Sequence, residues 1–294
     1  MIERFITYLT KEKRFSVHTA ISYRTDLDSF RKYLDENYQG LAFEKCTPSV
    51  VRSWLADMAA HDYNPRSLRR KKTAVSSFYR YLIYIGLTET NPTRNIPLPK
   101  LPGRLPVFAD EKSVSTIIHS GENDNDYPSV RNHLMFEFFY ATGMRLSELI
   151  GIKISDIDYS KCTIKILGKR NKERIVPFSE QLLTRMKAHD ELKETWFDDL
   201  ETDPNYFLTN TGKKLYPKFV YRTIHGYLDS VSSLSKKSPH VMRHTFATHL
   251  LQNGADLNSI KELLGHANLA ATQIYTHTNI KQLKEIYHKS HPKS

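Results

Sequence analysis

The first hundred residues alternate apolar and polar positions with the period of an α-helix. Three segments carry the pattern: Val17, Ile21, Leu27, Phe30 and Leu34; Val50, Val51, Trp54, Leu55 and Met58; and Leu68, Val75, Phe78 and Leu82. Apolar residues three or four positions apart form one helix face, so this part of the chain is predicted to be all-helical. Ser16 and Ser67 stand where N-caps are expected, and Pro48 and Pro65 suit the first turn of a helix.

A proline-rich stretch follows the helical part. Residues 91–106, NPTRNIPLPKLPGRLP, hold five prolines, each of which removes a backbone donor and fixes φ. This composition predicts a semi-extended linker. The chain is therefore predicted to consist of a helical domain (1–95), a linker (96–107) and a second domain (108–294).

The second domain has a mixed pattern. Helical spacing at 110–120 and 130–140 gives way to an alternating run, Thr163–Leu167, then to turn-forming residues at 168–172, and then to a second short apolar run at 174–177. Two such runs around a turn predict an antiparallel hairpin. Helical spacing resumes in four segments: 180–193, 218–232, 240–253 and 257–264. The predicted fold class is an all-α N-terminal domain plus a mixed α+β, mainly helical domain with a small antiparallel sheet.

The charge balance of the chain indicates what kind of partner it binds. The chain has 43 basic and 32 acidic residues, a net charge of +11, and residues 1–100 hold 17 basic against 10 acidic residues. Such an excess attracts polyanions, so nucleic acid is the first partner to consider. Five positive charges lie within seven residues of the third helical segment, and we predict a DNA-contacting helix face from them: Arg66, Arg69, Arg70, Lys71 and Lys72. A solvated helix face is the alternative.

Composition also excludes several classes of protein. The longest apolar stretch, residues 79–87, is interrupted by Arg80 and is much shorter than the roughly 18 residues that a membrane span needs. Glu3 and Arg4 stand where a signal peptide would be apolar, so a cytoplasmic protein is expected. Cys46 and Cys162 form neither a disulfide framework nor a thiolate metal cluster.

Two segments carry candidate chemistry. In SPHVMRHTFATHL, His240 and Arg243 are three residues apart at a predicted helix start, where together they suit one phosphate. A zinc pair (His240 with His244, or His244 with His249) is the alternative, but no glutamate stands as in HExxH and no third ligand is near, so no metal is expected. Buried histidines are the expectation for His244 and His249.

The other candidate segment is ATGMRLSELI. It predicts a turn at Gly143 and a new helix that begins with Arg145. Glu148 lies three positions on and is a candidate salt-bridge partner of that arginine.

The order of six residues then resembles the catalytic set of the tyrosine recombinases, the lambda-integrase-like family: Arg145, Lys169, His240, Arg243, His266 and Tyr275. The motifs stand as ATGMRLSEL, ILGKRNKERIVP, SPHVMRHTFATHLLQNGADL and LGHANLAATQIYTH, and both domains are covered. The proline linker and the wording of the last motif are most like the Xer branch, which resolves chromosome and plasmid dimers.

The resemblance implies a SAM-like core-binding domain, a catalytic domain and a site-specific recombinase that needs neither metal nor cofactor. It implies that Arg145, Arg243, His240 and His266 bind the scissile phosphate, that Lys169 is the general acid and that Tyr275 is the nucleophile. It also implies a homotetramer, or a heterotetramer with a second recombinase, on a double-stranded DNA site, with the tail helix docked on a neighbour. Tyr287 is expected to pack in that tail.

Three alternatives stay open. An integrase of a phage or mobile element shares most of these motifs. A type IB topoisomerase uses the same chemistry on one duplex. A catalytically silent DNA-binding regulator, derived from a recombinase, is the alternative of a different class.

Overall fold

A computed structural model describes residues 1–98, 107–168, 173–198, 203–231, 234–265, 285–287 and 289–292. The chain divides into two compact units, Met1–Arg104 and Leu105–Ser294. Each unit has its own apolar core. The division of the sequence at 95, 96–107 and 108 stays a prediction, because most of the linker lies outside the described residues.

Helices alone make up the regular structure of the described part of the first unit: α1 (Ile2–Thr7, continued by a π-helical turn, Tyr8–Glu12), α2 (Val17–Asn37), α3 (Pro48–Ala60) and α4 (Pro65–Tyr84), with a 3-10 turn at Phe43–Lys45. Ser16 caps α2 by accepting a hydrogen bond from the backbone N–H of Thr19. Pro48 and Pro65 lie in first turns as predicted.

The structure of this unit differs from the simple sequence pattern at two places. Asn64, not Ser67, caps α4, since its side chain accepts a hydrogen bond from the N–H of Arg66. Val17 and Ile21 are exposed, because the buried stripe of α2 runs through Ala20, Leu27, Phe30 and Leu34 and these two residues lie beside it.

The second unit begins with α5 (Glu111–Ser120), α6 (Tyr127–Thr142) and α7 (Leu146–Gly151). Three antiparallel strands follow in the order β1 (Ile157–Asp158), β2 (Thr163–Leu167) and β3 (Glu173–Pro177), and then come α8 (Glu180–Trp196), α9 (Pro217–Val231), α10 (Pro239–Gln252) and α11 (Leu257–Leu264). Helix α6 is buried on almost every side. It is the central element of this unit, packed between α8 and α10.

The predicted hairpin is confirmed. Strands β2 and β3 pair in the register that sets Ile164 against Val176 and Ile166 against Arg174. The residues between the two strands that include Lys169 and Lys172 lie outside the described part of the chain.

The described tail packs on its own unit. Tyr287 is fully buried, as predicted, and its ring stacks on that of His291 with 4.7 Å between centroids. The Nε2 of His291 donates to the carbonyl of Tyr140 at 3.1 Å, and Asn253 donates to the carbonyl of Ser290 at 3.0 Å. These aromatic and hydrogen-bonding partners belong to the same unit, and docking of the tail helix on a neighbouring protomer stays a prediction.

The burial of His291 makes the tail pH-sensitive. Burial lowers the pKa of this imidazole from 6.5 to about 4, so protonation favours the unfolded chain. The stabilisation is complete above pH 6.5 and is lost as the pH falls toward 4. We expect the free energy of unfolding in urea to fall between pH 7.5 and 5.0 by about 2 kcal/mol more in the parent than in His291→Phe.

The comparison of the parent with His291→Phe separates the contribution of His291 from that of other titrating groups. His249 is also buried with a lowered pKa, and it contributes with the same sign in both proteins. Equal pH dependence in parent and variant would contradict the assignment to His291.

Among the described residues, no helix is both long and apolar enough to cross a bilayer.

Candidate active site

Arg145 begins the candidate site at the N-terminus of α7. The chain leaves α6 through Gly143, whose φ of +58° favours glycine; a Cβ there would meet the Phe246 ring at 2.4 Å. Arg145 then takes an extended conformation as the N-cap of α7. Its side chain is about one-third exposed, with its Nη1 2.7 Å from Oε1 of Glu148.

Glu148 has two functions in this turn. It is the predicted salt-bridge partner, and its Oε2 also accepts a hydrogen bond from the backbone N–H of Arg145 at 2.7 Å. A carboxylate in the first turn also suits the positive end of the helix dipole. The turn therefore holds the main chain of Arg145 and one end of its guanidinium group.

Arg243 comes from a different element, α10. It is buried, and its guanidinium group donates to the carbonyls of Gly143 at 2.7 Å and Leu264 at 2.5 Å. Burial, followed by the neighbouring charges of Arg145 and Arg174, lowers its pKa to about 10. The cation is therefore held in place by backbone acceptors beside other arginines.

His240 lies in the first turn of α10, one turn before Arg243, and it is exposed. Pro239 precedes it at the start of the helix, where the missing backbone donor of a proline costs nothing. His240 is therefore accessible to a ligand at the N-terminus of the helix.

Of the two histidines predicted to be buried, His244 and His249, one is buried and the other is not. His249 is buried and its Nδ1 lies 3.1 Å from the hydroxyl of Tyr140, as expected of a core histidine. His244 is exposed, so its expected burial is wrong. Among the described residues, no group of three or more His, Cys, Asp and Glu side chains could bind a metal ion.

Arg174 joins the same cluster and was not singled out from the sequence. It is 3% exposed, and its guanidinium group binds both carboxylate oxygens of Glu148, at 3.0 and 2.8 Å. One signal was present: in an alternating strand, Arg174 and Val176 fall on the same, inward side. A charged residue at an inward position needs a buried partner.

The cluster carries a net positive charge. Arg145, Arg174 and Arg243 surround the single carboxylate of Glu148, which leaves two positive charges. Such a group suits an anion with several oxygens, above all a phosphate, because each guanidinium group presents a planar fork of donors.

The other three predicted site residues, Lys169, His266 and Tyr275, lie outside the described residues. Their roles stay predictions. Two of them adjoin the cluster in sequence, since Lys169 falls between β2 and β3 and His266 comes directly after Gly265, the C-cap of α11.

In the first unit, only part of the predicted DNA-contacting cluster is exposed. Arg66, Arg69 and Arg70 are exposed. Lys71 is buried and its Nζ lies 3.4 Å from the buried carboxylate of Asp26, so its assignment to a DNA surface is corrected. The period of α4 explains this, because Lys71 follows Leu68 by three residues on the buried stripe.

Two further cations of the cluster have partners in the same unit. Arg70 pairs with Asp26 at 2.5 Å, and Lys72 donates to the carbonyl of Ile96 at 2.6 Å. The exposed cations of the cluster are therefore Arg66, Arg69 and Arg70, in the first two turns of α4.

Comparison with known proteins connects these features to a family. Residues 108–282 match the model of the phage integrase family, and residues 2–85 match that of the phage integrase N-terminal SAM-like domain. Among curated proteins, the chain is 35% identical to a tyrosine recombinase XerC of Myxococcus xanthus and 34% identical to one of Thermodesulfovibrio yellowstonii. All of this chain is covered in both cases, with 98% and 96% of the relatives.

Solved structures share the fold. A XerH site-specific recombinase bound to a palindromic difH substrate, in a post-cleavage complex, matches with a TM-score of 0.71 at 21% identity, covering 97% of this chain and 83% of that one. A lambda integrase dimer bound to a core site matches with a TM-score of 0.68 at 18% identity, covering 93% of this chain and 98% of that one.

Proposed function

This chain belongs to the phage integrase family, and on that premise we propose that it is an Xer-type tyrosine recombinase that cuts and rejoins duplex DNA through Tyr275. The observation that carries the proposal is the arginine cluster. Arg145 and Arg243 come from two different elements and lie near the same carboxylate, that of Glu148. The cluster that they form with Arg174 keeps a net positive charge. The family supplies the reaction, and the cluster supplies a site suited to its anionic substrate.

The chemistry of a phosphodiester explains the choice of residues. Its negative charge repels nucleophiles, and its leaving alkoxide is poor, so a catalyst must neutralise the transition state and protonate the departing oxygen. Arg145 and Arg243 would bind the nonbridging oxygens. Because Arg243 is already held by the carbonyls of Gly143 and Leu264, little reorganisation is needed when the phosphate arrives.

The remaining roles complete a balanced step. The Tyr275 oxygen attacks phosphorus and forms a 3′-phosphotyrosyl bond, while the bond to the 5′-oxygen breaks and that oxygen takes a proton from Lys169. His240 and His266 donate hydrogen bonds to the phosphate, and His240 is suited to accept the tyrosine proton. Attack by a 5′-hydroxyl reverses the step. The energy of the ester is retained throughout, so the reaction needs no ATP or other cofactor.

The biological role follows from the relatives. Curated relatives named XerC match the chain over its full length, which favours resolution of chromosome or plasmid dimers in the cytoplasm over integration of a mobile element. We propose that the active assembly is a tetramer on two DNA sites, made of this chain alone or together with a second recombinase.

Trapping the covalent complex tests this function. A duplex nicked near the cleavage point loses a short fragment after attack, so religation fails and the protein stays attached to DNA. The expected result is a complex that survives a denaturing gel, and sequencing its DNA identifies the site. A protein that binds the duplex but is never trapped would be the silent regulator. Relaxation of plasmids that lack a recognition site would instead indicate a topoisomerase.

The exposed face of α4 gives a second, independent prediction. Replacing Arg66, Arg69 and Arg70 together with Ala should reduce the slope of log affinity against log salt by up to about 0.9 for each ion pair with a DNA phosphate that the substitutions remove. The matched control is Lys71→Met on the buried stripe of the same helix, which should destabilise the unit and leave that slope unchanged. An unchanged slope in the triple variant would favour the solvated-face interpretation.

A further inference from the structure

Arg174 occupies a place in β3 where the strand pattern calls for an apolar residue. It pairs across the sheet with Ile166, and it is almost wholly buried. A buried guanidinium group must find acceptors. This one donates to both oxygens of Glu148 and, through Nε, to the carbonyl of Leu263 at 2.9 Å.

Glu148 therefore has two cationic partners for one negative charge. Arg174 donates to both carboxylate oxygens, whereas the guanidinium group of Arg145 reaches Oε1 through its Nη1. Burial by itself raises the pKa of Glu148, but the hydrogen bonds and charge of Arg174, followed by the hydrogen bonds of Arg145, outweigh it and lower that pKa. The carboxylate is thus ionised, and Arg174 is its principal partner.

Without Arg174, Glu148 would turn to Arg145. A buried carboxylate and a single arginine favour a two-point pair, which would neutralise the arginine and engage its donors. We propose that Arg174 is a positioning residue that holds Glu148 so that Arg145 keeps its charge and donors for the scissile phosphate. This inference rests on the proposed recombinase function.

Arg174 also supports the end of α11. Its Nε and the guanidinium group of Arg243 bind the adjacent carbonyls of Leu263 and Leu264, at the negative end of the helix dipole. Gly265 follows with a φ of +65°, and a Cβ there would come within 3.0 Å of the Arg174 Cδ. The backbone at the end of α11 therefore packs against the Arg174 side chain and is hydrogen-bonded to it.

Charge and support can be separated by a double substitution. The parent cluster carries a net charge of +2, Arg174→Gln lowers it to +1, and adding Glu148→Gln restores it to +2. If Arg174 acts by occupying the carboxylate, the second substitution repairs the defect of the first. If it only packs, the second substitution removes further bonds and makes the defect worse.

The measurement is the single-turnover rate of covalent complex formation on the nicked duplex at saturating protein. Arg174→Gln is expected to slow it by about 10–100-fold, at or below the effect of losing a direct transition-state donor. The double variant R174Q/E148Q is expected to be at least about fivefold faster than R174Q. Arg174→Lys keeps the charge but loses the fork, and it should stay within about tenfold of the parent.

A matched control removes another buried arginine of the same unit. Arg131 is 1% exposed and donates to the carbonyl of Leu208 and the side chain of Asn210. Arg131→Gln should lower the melting temperature without changing the cleavage rate of the folded protein. Melting curves of every variant accompany the rates.

Two results would overturn the inference: R174Q cleaving as fast as the parent, or R174Q/E148Q cleaving no faster than R174Q. Should R174Q fail to fold, a loss beyond about tenfold in both R174K and the double variant overturns it instead, because both keep the net charge.

A second readout needs no cleavage. Inorganic phosphate should raise the melting temperature of the parent. The rise should be smaller in R174Q than in the parent and larger in the double variant than in R174Q. Arg145→Ala, which lacks a phosphate-binding arginine, is the negative control. A parent that forms no covalent complex contradicts the recombinase proposal, whereas variants in the wrong order of phosphate response contradict the role of Arg174.

Discussion

Replacing Tyr275 with Phe is expected to abolish covalent complex formation while leaving DNA binding intact. The substitution removes one oxygen, the proposed nucleophile, and keeps the aromatic ring. A gel-shift assay measures binding, and a denaturing gel of the same samples measures covalent attachment. The motivating observation is the LGHANLAATQIYTH segment, in which Tyr275 follows His266 by nine residues.

The natural control is Tyr287→Phe, the other tyrosine that follows His266. Tyr287 is fully buried in the tail, so this variant should cleave DNA as the parent does. Residual cleavage by Tyr275→Phe would reassign the nucleophile, and loss of its DNA binding would show that the hydroxyl group has a structural role.

Lys169→Ala and Arg145→Ala should both slow cleavage of ordinary DNA strongly, but for different reasons. Loss of a positioned proton donor costs on the order of 10²–10⁴ in rate, and loss of a transition-state charge partner costs on the order of 10²–10³. A 5′-bridging phosphorothiolate at the scissile position departs as a thiolate that needs little protonation. Cleavage of that substrate should be restored in Lys169→Ala and remain slow in Arg145→Ala.

The comparison of the two variants on the two substrates decides the role of the lysine. If Lys169→Ala is equally impaired on both substrates, the lysine positions the phosphate, and Lys172, three residues on, becomes the first candidate for the proton donor. Restoration of Arg145→Ala by the thiolate would contradict its assignment to charge stabilisation.

Local patterns predicted the local structure well. The alternating run Thr163–Leu167 and its partner strand form the expected hairpin, since strand alternation depends on neighbours along the chain. Arg145 stands at the start of α7 with Glu148 one turn on, because helical spacing alone brings residues three apart together. The Gly143 turn also follows from a local requirement, its positive φ.

The same local reasoning failed where a residue's partner is distant in sequence. Lysine is usually found on the surface, yet Lys71 is buried beside Asp26, which lies on another helix. His291 in the tail packs on Tyr140, more than a hundred residues earlier, and no local pattern indicates that contact. Neither partner can be found from the spacing of nearby residues.

The sequence by itself determined the two-part organisation, the helices and hairpin, the excess of positive charge and the order of the six predicted catalytic residues. Those properties depend on backbone periodicity, composition and motif spacing. Only the tertiary structure decided that Arg174 shares Glu148 with Arg145 and that backbone carbonyls hold Arg243. The physical reason is that a buried charge is stable only beside its partners, and chain folding brings those partners together from separate elements.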